Sequence, residues 1–127
     1  MVKDEESNKV FRQILENYED TFEYDGKTIR VRLPTIKEKL SVASEVKEIE
    51  HYSDLDPIHQ RVLKERLLAL KMMIEPKFTT KQYINSPDGK LEYLLDTVTL
   101  WYGVTLKKID KERESLVEHF LEQVKEK

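Results

Sequence analysis

The segment TFEYDGKTIRVRLPTIKE, Thr21 to Glu38, constrains this chain more than any other. Asp25-Gly26 is a two-residue turn signal, because a type I′ turn needs positive φ at both central positions and Asp-Gly tolerates it. That loop sets one register: Tyr24 faces Lys27, Glu23 faces Thr28 and Phe22 faces Ile29. Side chains alternate across a strand, so Phe22, Tyr24, Ile29, Val31 and Leu33 share one face, and Thr21, Glu23, Thr28, Arg30 and Arg32 share the other. Pro34 cannot donate to a ladder and stops the strand. Thr35, with Glu38 three residues on, matches a capping box and starts a helix at Ile36. A lone hairpin has open edges and too little surface to be stable, so it must pack on helices or pair with something else.

The rest of the chain reads as helix. Charged residues make up 37% of its 127 residues, against about 25% in an average globular protein, which suits amphipathic helices with one buried stripe and wide solvated faces. With 3 Gly and 4 Pro there is little material for long loops. Val10, Phe11, Ile14, Leu15 and Tyr18 give a first helix near residues 6–19. Ile36, Leu40, Ala43, Val46 and Ile49 give a second, to about Tyr52. Asp56-Pro57 is an N-cap followed by a preorganised first position. The helix after it carries Ile58, Val62, Leu63, Leu67, Leu70, Met73 and Ile74 and breaks before Pro76. Phe78 to Asn85 is ambiguous and admits a short helix capped by Thr79 or Thr80. Leu91, Leu94, Leu95, Val98, Trp101 and Tyr102 form the next, with Gly103 placed as its C-terminal cap. Ile109, Leu116, Val117, Phe120, Leu121 and Val124 form the last.

The expected class is therefore mainly α with one β-hairpin (α+β): a compact bundle of about five amphipathic helices in a single domain over 1–127. Its parts are an N-terminal helix at 1–19, the hairpin at 20–34 and helices over 35–127. The expected core is Leu63, Leu67, Leu70, Leu95, Val98, Trp101, Phe120 and Leu121. No apolar run is long enough to span a bilayer, and MVKDEESNKVF lacks the apolar centre of a signal peptide. With 0 Cys there is no disulfide framework, so an intracellular site is the default expectation.

No motif assembles a chemistry. His51 and His59 flank Asp54 and Asp56, but there is no HExxH, and a helix break separates the two imidazoles. The acidic pair fails the calcium-loop pattern, which needs alternating ligands, a central Gly and a terminal Glu. Three scattered glycines make no phosphate cradle. There is no Cys nucleophile and no GxSxG elbow. The expectation is a protein that is not an enzyme, with no catalytic residue, metal or cofactor and no small-molecule substrate.

Charge leaves two candidate contact surfaces. Arg30 and Arg32 share a strand face with Lys27 at the turn, and a two-stranded ribbon of this kind fits a major groove. Glu23 lies diagonally close to Arg30, however, and a formal net charge of −3 gives no global attraction to nucleic acid or anionic membranes. Glu114, Glu118, Glu122 and Glu126 recur every four residues, where like charges repel by roughly 0.2–0.5 kcal/mol per pair. Lys111 and Lys125 relieve only the ends. The stripe reads either as a soluble helix face or as a docking face for a basic partner.

A hairpin ending in IRVRLPTIKEKL, followed by charged amphipathic helices, resembles the small tail-assembly chaperones of tailed bacteriophages and is similar to the baseplate-hub assembly proteins of contractile-tailed phages. The likeness is concentrated in Tyr24 to Val46. It implies a protein that binds other tail or baseplate proteins in the cytoplasm of the bacterial host, some such proteins leaving before the particle is complete and others remaining in the virion. It offers no catalytic residues. The alternative is an intracellular adaptor or regulatory domain contacting nucleic acid through Arg30 and Arg32. Lys27, Arg30 and Arg32, with Glu114, Glu118, Glu122 and Glu126, are the candidate partner-binding residues.

Overall fold

The computed structural model of the chain describes residues 18–87 and 89–125. The turn chemistry of Asp25-Gly26 appears directly, with φ of 52° and 76° at the two positions. Strand β1 (Glu19–Tyr24) pairs antiparallel with β2 (Lys27–Arg32) in the expected register, Tyr24 opposite Lys27 and Phe22 opposite Ile29. The capping box forms as well. Thr35 accepts from the Glu38 amide while Glu38 accepts from the Thr35 amide, and helix α1 (Ile36–Glu45) begins where the box sets it. Asp56 caps helix α2 (Pro57–Met72) by accepting from the His59 amide, with Pro57 at its start. Thr79 and Gln82 build a second capping box on the short helix α3 (Thr80–Ile84).

The class is α+β, with four α-helices rather than five among the described residues. The expected helix at 6–19 lies outside them except for Tyr18 and Glu19, and Glu19 belongs to β1. Downstream, the two expected C-terminal helices are one, α4 (Lys90–Lys125), which runs straight through Gly103. A glycine ends a helix by taking a left-handed conformation, and Gly103 does not take it. Tyr102, Leu106 and Ile109 carry the helical period across it, so nothing beyond it forces a stop.

Two further corrections concern the second and third expected helices. The α conformation of α1 ends at Glu45 and gives way to a 3₁₀ turn at Val46–Glu48, a left-handed His51 at φ 65° and a second 3₁₀ turn at Tyr52–Asp54. This irregular path buries Val46 and Tyr52 with Val42 and Leu67. The first part of the face expected to be buried is instead open, with Ile36 71% and Leu40 67% exposed, while Val46 and Ile49 farther along do reach the core. After α2, Met73–Glu75 leaves the helix as strand β3 and pairs antiparallel with β2, giving a sheet of order β1-β2-β3. Pro76 disfavours α conformation at Glu75, and the second edge of β2 is there to receive the extended segment.

The chain divides into two compact units, one of residues 19–100 and a second that includes residues 101–125. The first holds the main core. Ile29 and Val31 of the sheet, Val42, Leu67, Ala69, Leu70 and Met72 of α1 and α2, Met73, and Leu94, Leu95 and Val98 of α4 are all buried. Leu63 is half-buried at its margin. In the second unit the expectation fails, for Trp101 is only half-buried, while Phe120 is 60% and Leu121 50% exposed.

Candidate functional site

The basic face of the hairpin is neutralised within its own unit. Arg32 donates through Nη1 and Nη2 to Glu38 Oε1 and Oε2, each at 2.7 Å, and through Nη1 to the Leu33 carbonyl at 3.2 Å. This fork clamps the end of β2 onto the first turn of α1, using the same carboxylate that closes the capping box. The Arg32 hydrogen bonds, aided by the Thr35 amide, overcome partial burial and hold the Glu38 carboxyl down at about 2, while the guanidinium is raised. Arg32 is therefore committed to the fold. Arg30 lies between Glu19 at 3.4 Å and Glu75 at 3.7 Å, bridging the two outer strands of the sheet. Lys27 is exposed at the turn. Among the described residues, Lys27 is the one of these three cations that stands apart from an ion pair, which is a weak footprint for a phosphate backbone.

The edges of the hairpin are also less open than the sequence suggests. The outer edge of β2 is taken by β3. On β1, Asp20 accepts from the Thr21 amide at 2.8 Å through Oδ1, and Glu19 and Glu23 add charge to the same strand. Glu23 also accepts from the Thr28 hydroxyl at 2.6 Å. Charged side chains and self-capped amides are how edge strands are kept from pairing with other chains.

A partly buried polar cluster ties helices of the first unit together. Arg66, 8% exposed, donates from Nε to Glu92 Oε1 at 2.6 Å and from Nη2 to Asp96 at 3.3 Å. Tyr83 donates to the other Glu92 oxygen at 2.7 Å. The arrangement joins α2, α3 and α4 through one carboxylate. A parallel link joins α1 and α2, where Glu45 accepts from Lys71 at 3.0 Å and from Ser41 at 2.8 Å. Burial pushes the Glu45 carboxyl up, but the Lys71 and Ser41 hydrogen bonds hold it below its ordinary value. Apart from Arg66 Nη1, which is buried with no hydrogen-bond partner among the described residues, these groups are spent on one another and form no convergent set of nucleophile and base.

The imidazoles stay local. His59 Nδ1 lies 2.8 Å from Asp56, its own helix cap, and His51 Nδ1 lies 3.3 Å from Asp54. Among the described residues no group of three or more His, Cys, Asp or Glu is placed to hold a metal ion.

The last turns of α4 differ from all of this. Glu114, Glu118 and Glu122 are exposed, and no ion pair joins them to a cation among the described residues. Glu126 lies outside the described residues. Beside the acids runs an apolar stripe at helical spacing: Val117 is 49%, Phe120 60%, Leu121 50% and Val124 52% exposed. It adjoins the half-buried face of the same segment, which carries Ile109 and Leu116. The acids are legible in the sequence, but the expected core includes Phe120 and Leu121 of the stripe, because apolar spacing on a helix does not say which side is covered.

The chain matches no protein-family model, no curated protein and no solved structure. No helix among the described residues is long and apolar enough to cross a membrane.

Proposed function

We propose that this chain is a non-catalytic assembly protein acting through protein–protein contacts, and that its partners are other tail or baseplate proteins of a tailed bacteriophage. The observation that carries the contact reading is the end of α4. Four large apolar side chains in a row are about half exposed next to three carboxylates with no ion pair among the described residues, whereas Arg30 and Arg32 of the hairpin and the charges at the helix junctions are matched internally. Exposed apolar stripes rimmed by charge mark interaction surfaces. The phage context rests on the resemblance in Tyr24–Val46. The hairpin contributes Lys27 and Arg30 as a secondary contact, while Arg32 positions α1.

The test is genetic and structural together. Deleting the gene from the virus that encodes it should leave particles without complete tails under the electron microscope. A wild-type copy should restore them, and a copy carrying Val117→Asp with Leu121→Asp should not. Full-length tails and normal titre after deletion would sink the assembly reading.

A further inference from the structure

Resting on the contact reading of α4, we infer that the surface formed by Val117, Phe120, Leu121 and Val124 with Glu114, Glu118 and Glu122 takes an amphipathic helix with a basic flank from a different protein, not a second copy of this chain. The apolar side chains recur at intervals of three and four, the spacing a partner helix reads as one seam. The acids lie along one flank of that seam, where a facing helix places its own flanking charges.

A second copy satisfies the charges or the apolar stripe, never both. An antiparallel two-fold pair that overlaps the stripes sets Val117 against Val124 and Phe120 against Leu121 of the other copy. It also brings Glu118 next to Glu122 across the axis, twice over by symmetry. Sliding the pair to oppose Lys107 with Glu122 and Lys111 with Glu118 relieves the charge. That register sets Val117 against Glu112, Leu121 against Lys108 and Val124 against Thr105, leaving only Phe120 opposite an apolar residue, Ile109, so most of the apolar surface stays unmatched. A parallel pair sets the acids beside the flank of Leu116 and Gln123, which offers no cation. An anionic membrane surface fails on the same charges. A helix with an apolar seam and Lys or Arg along its facing flank meets both demands at once.

The full chain would be titrated into two fluorescent peptides of about three turns more than the stripe, identical in their Leu seam and differing only in Lys or Glu flanks. Anisotropy is read at low and at moderate salt. The basic peptide should bind at least about tenfold more tightly, and the difference should shrink as salt screens the exposed charges. Glu118→Lys with Glu122→Lys should reverse the preference. Phe120→Asp with Leu121→Asp should abolish binding of both while thermal melts stay unchanged. Equal binding of the two peptides, or binding of neither, overturns the inference. So does sedimentation of the chain as a dimer that Phe120→Asp with Leu121→Asp converts to monomer, since the occupant is then a second copy. If tails fail to assemble with the Phe120/Leu121 variant but the peptides are not distinguished, the assembly reading stands and the basic helix falls. If the peptides are distinguished and deletion leaves tails intact, the docking chemistry stands and the phage assignment falls.

Discussion

At the scale of single residues, two arginines do most of the joining. Arg32 and Glu38 link a strand to a helix through a bidentate pair, the strongest geometry available to these groups, at side-chain exposures of 21% and 22%. Because the Glu38 carboxyl is held near 2 against an ordinary 4.5, folding stabilises its charged form. That contribution is complete above about pH 4.5 and is lost as pH falls toward 2. Urea unfolding should show a loss of about 2 kcal/mol over that window, discounted for partial exposure, and Glu38→Gln should flatten it. Arg66 is the more buried of the two. Arg66→Ala leaves the Glu92 and Asp96 carboxylates without their cation and should cost on the order of 3 kcal/mol. Arg66→Lys should recover only part of it, because one ammonium cannot reproduce the fork to Glu92 and Asp96. Equal stability of Arg66→Ala and the parent chain would mean the cluster is surface decoration.

At the scale of elements, the informative case is α4. Its 36 residues are continuous through Gly103, where an added Cβ would meet nothing within 4 Å. The backbone there is helical, so Gly103→Ala should stabilise the protein by about 0.5–1 kcal/mol, through lost freedom of the unfolded chain rather than new contacts. A drop in thermal midpoint on that substitution would mean that the helix needs a weak point at this position. The other ends follow local rules. Thr35–Glu38, Asp56–Pro57 and Thr79–Gln82 each start a helix where their side chains reach the first free amides. The first two starts were legible because a cap is a bond between neighbours in sequence, whereas the third, left open between Thr79 and Thr80, lies in a segment too short to carry a helical period. The 3₁₀ turns after Glu45 and the strand after Met72 were not, since each exists to place Val46, Tyr52 or Met73 in a core supplied by distant segments.

At the scale of the whole molecule, the question is which apolar surfaces are covered. Leu67 and Leu95 are buried at 1% and 0%, but Phe120 and Leu121 carry the same spacing signal and remain half open. Phe120→Asp with Leu121→Asp should therefore change unfolding free energy by less than about 1 kcal/mol, as surface substitutions do. The same change should remove partner binding, which separates a docking role from a structural one. A cooperative loss of several kcal/mol, read by circular dichroism in urea, would return these residues to the core and remove the surface on which the functional proposal stands.

What the amino-acid sequence determined by itself is the set of features closed by near neighbours. These are the Asp25-Gly26 turn with its register, the helix starts capped by Thr35 and Asp56, and the four-residue period of Glu114, Glu118 and Glu122. Each depends on a steric or hydrogen-bonding demand met within a few residues, so context has little power to change it. Tertiary structure decided the rest. It paired β3 with β2, turned Ile36 and Leu40 outward, joined two apolar segments into α4, and spent Arg30 and Arg32 on Glu19, Glu75 and Glu38. Periodicity shows that a helix has an apolar face, but only the positions of other segments show whether that face is filled. A charged side chain likewise reveals its sign in the sequence and its availability only once its partners are in place.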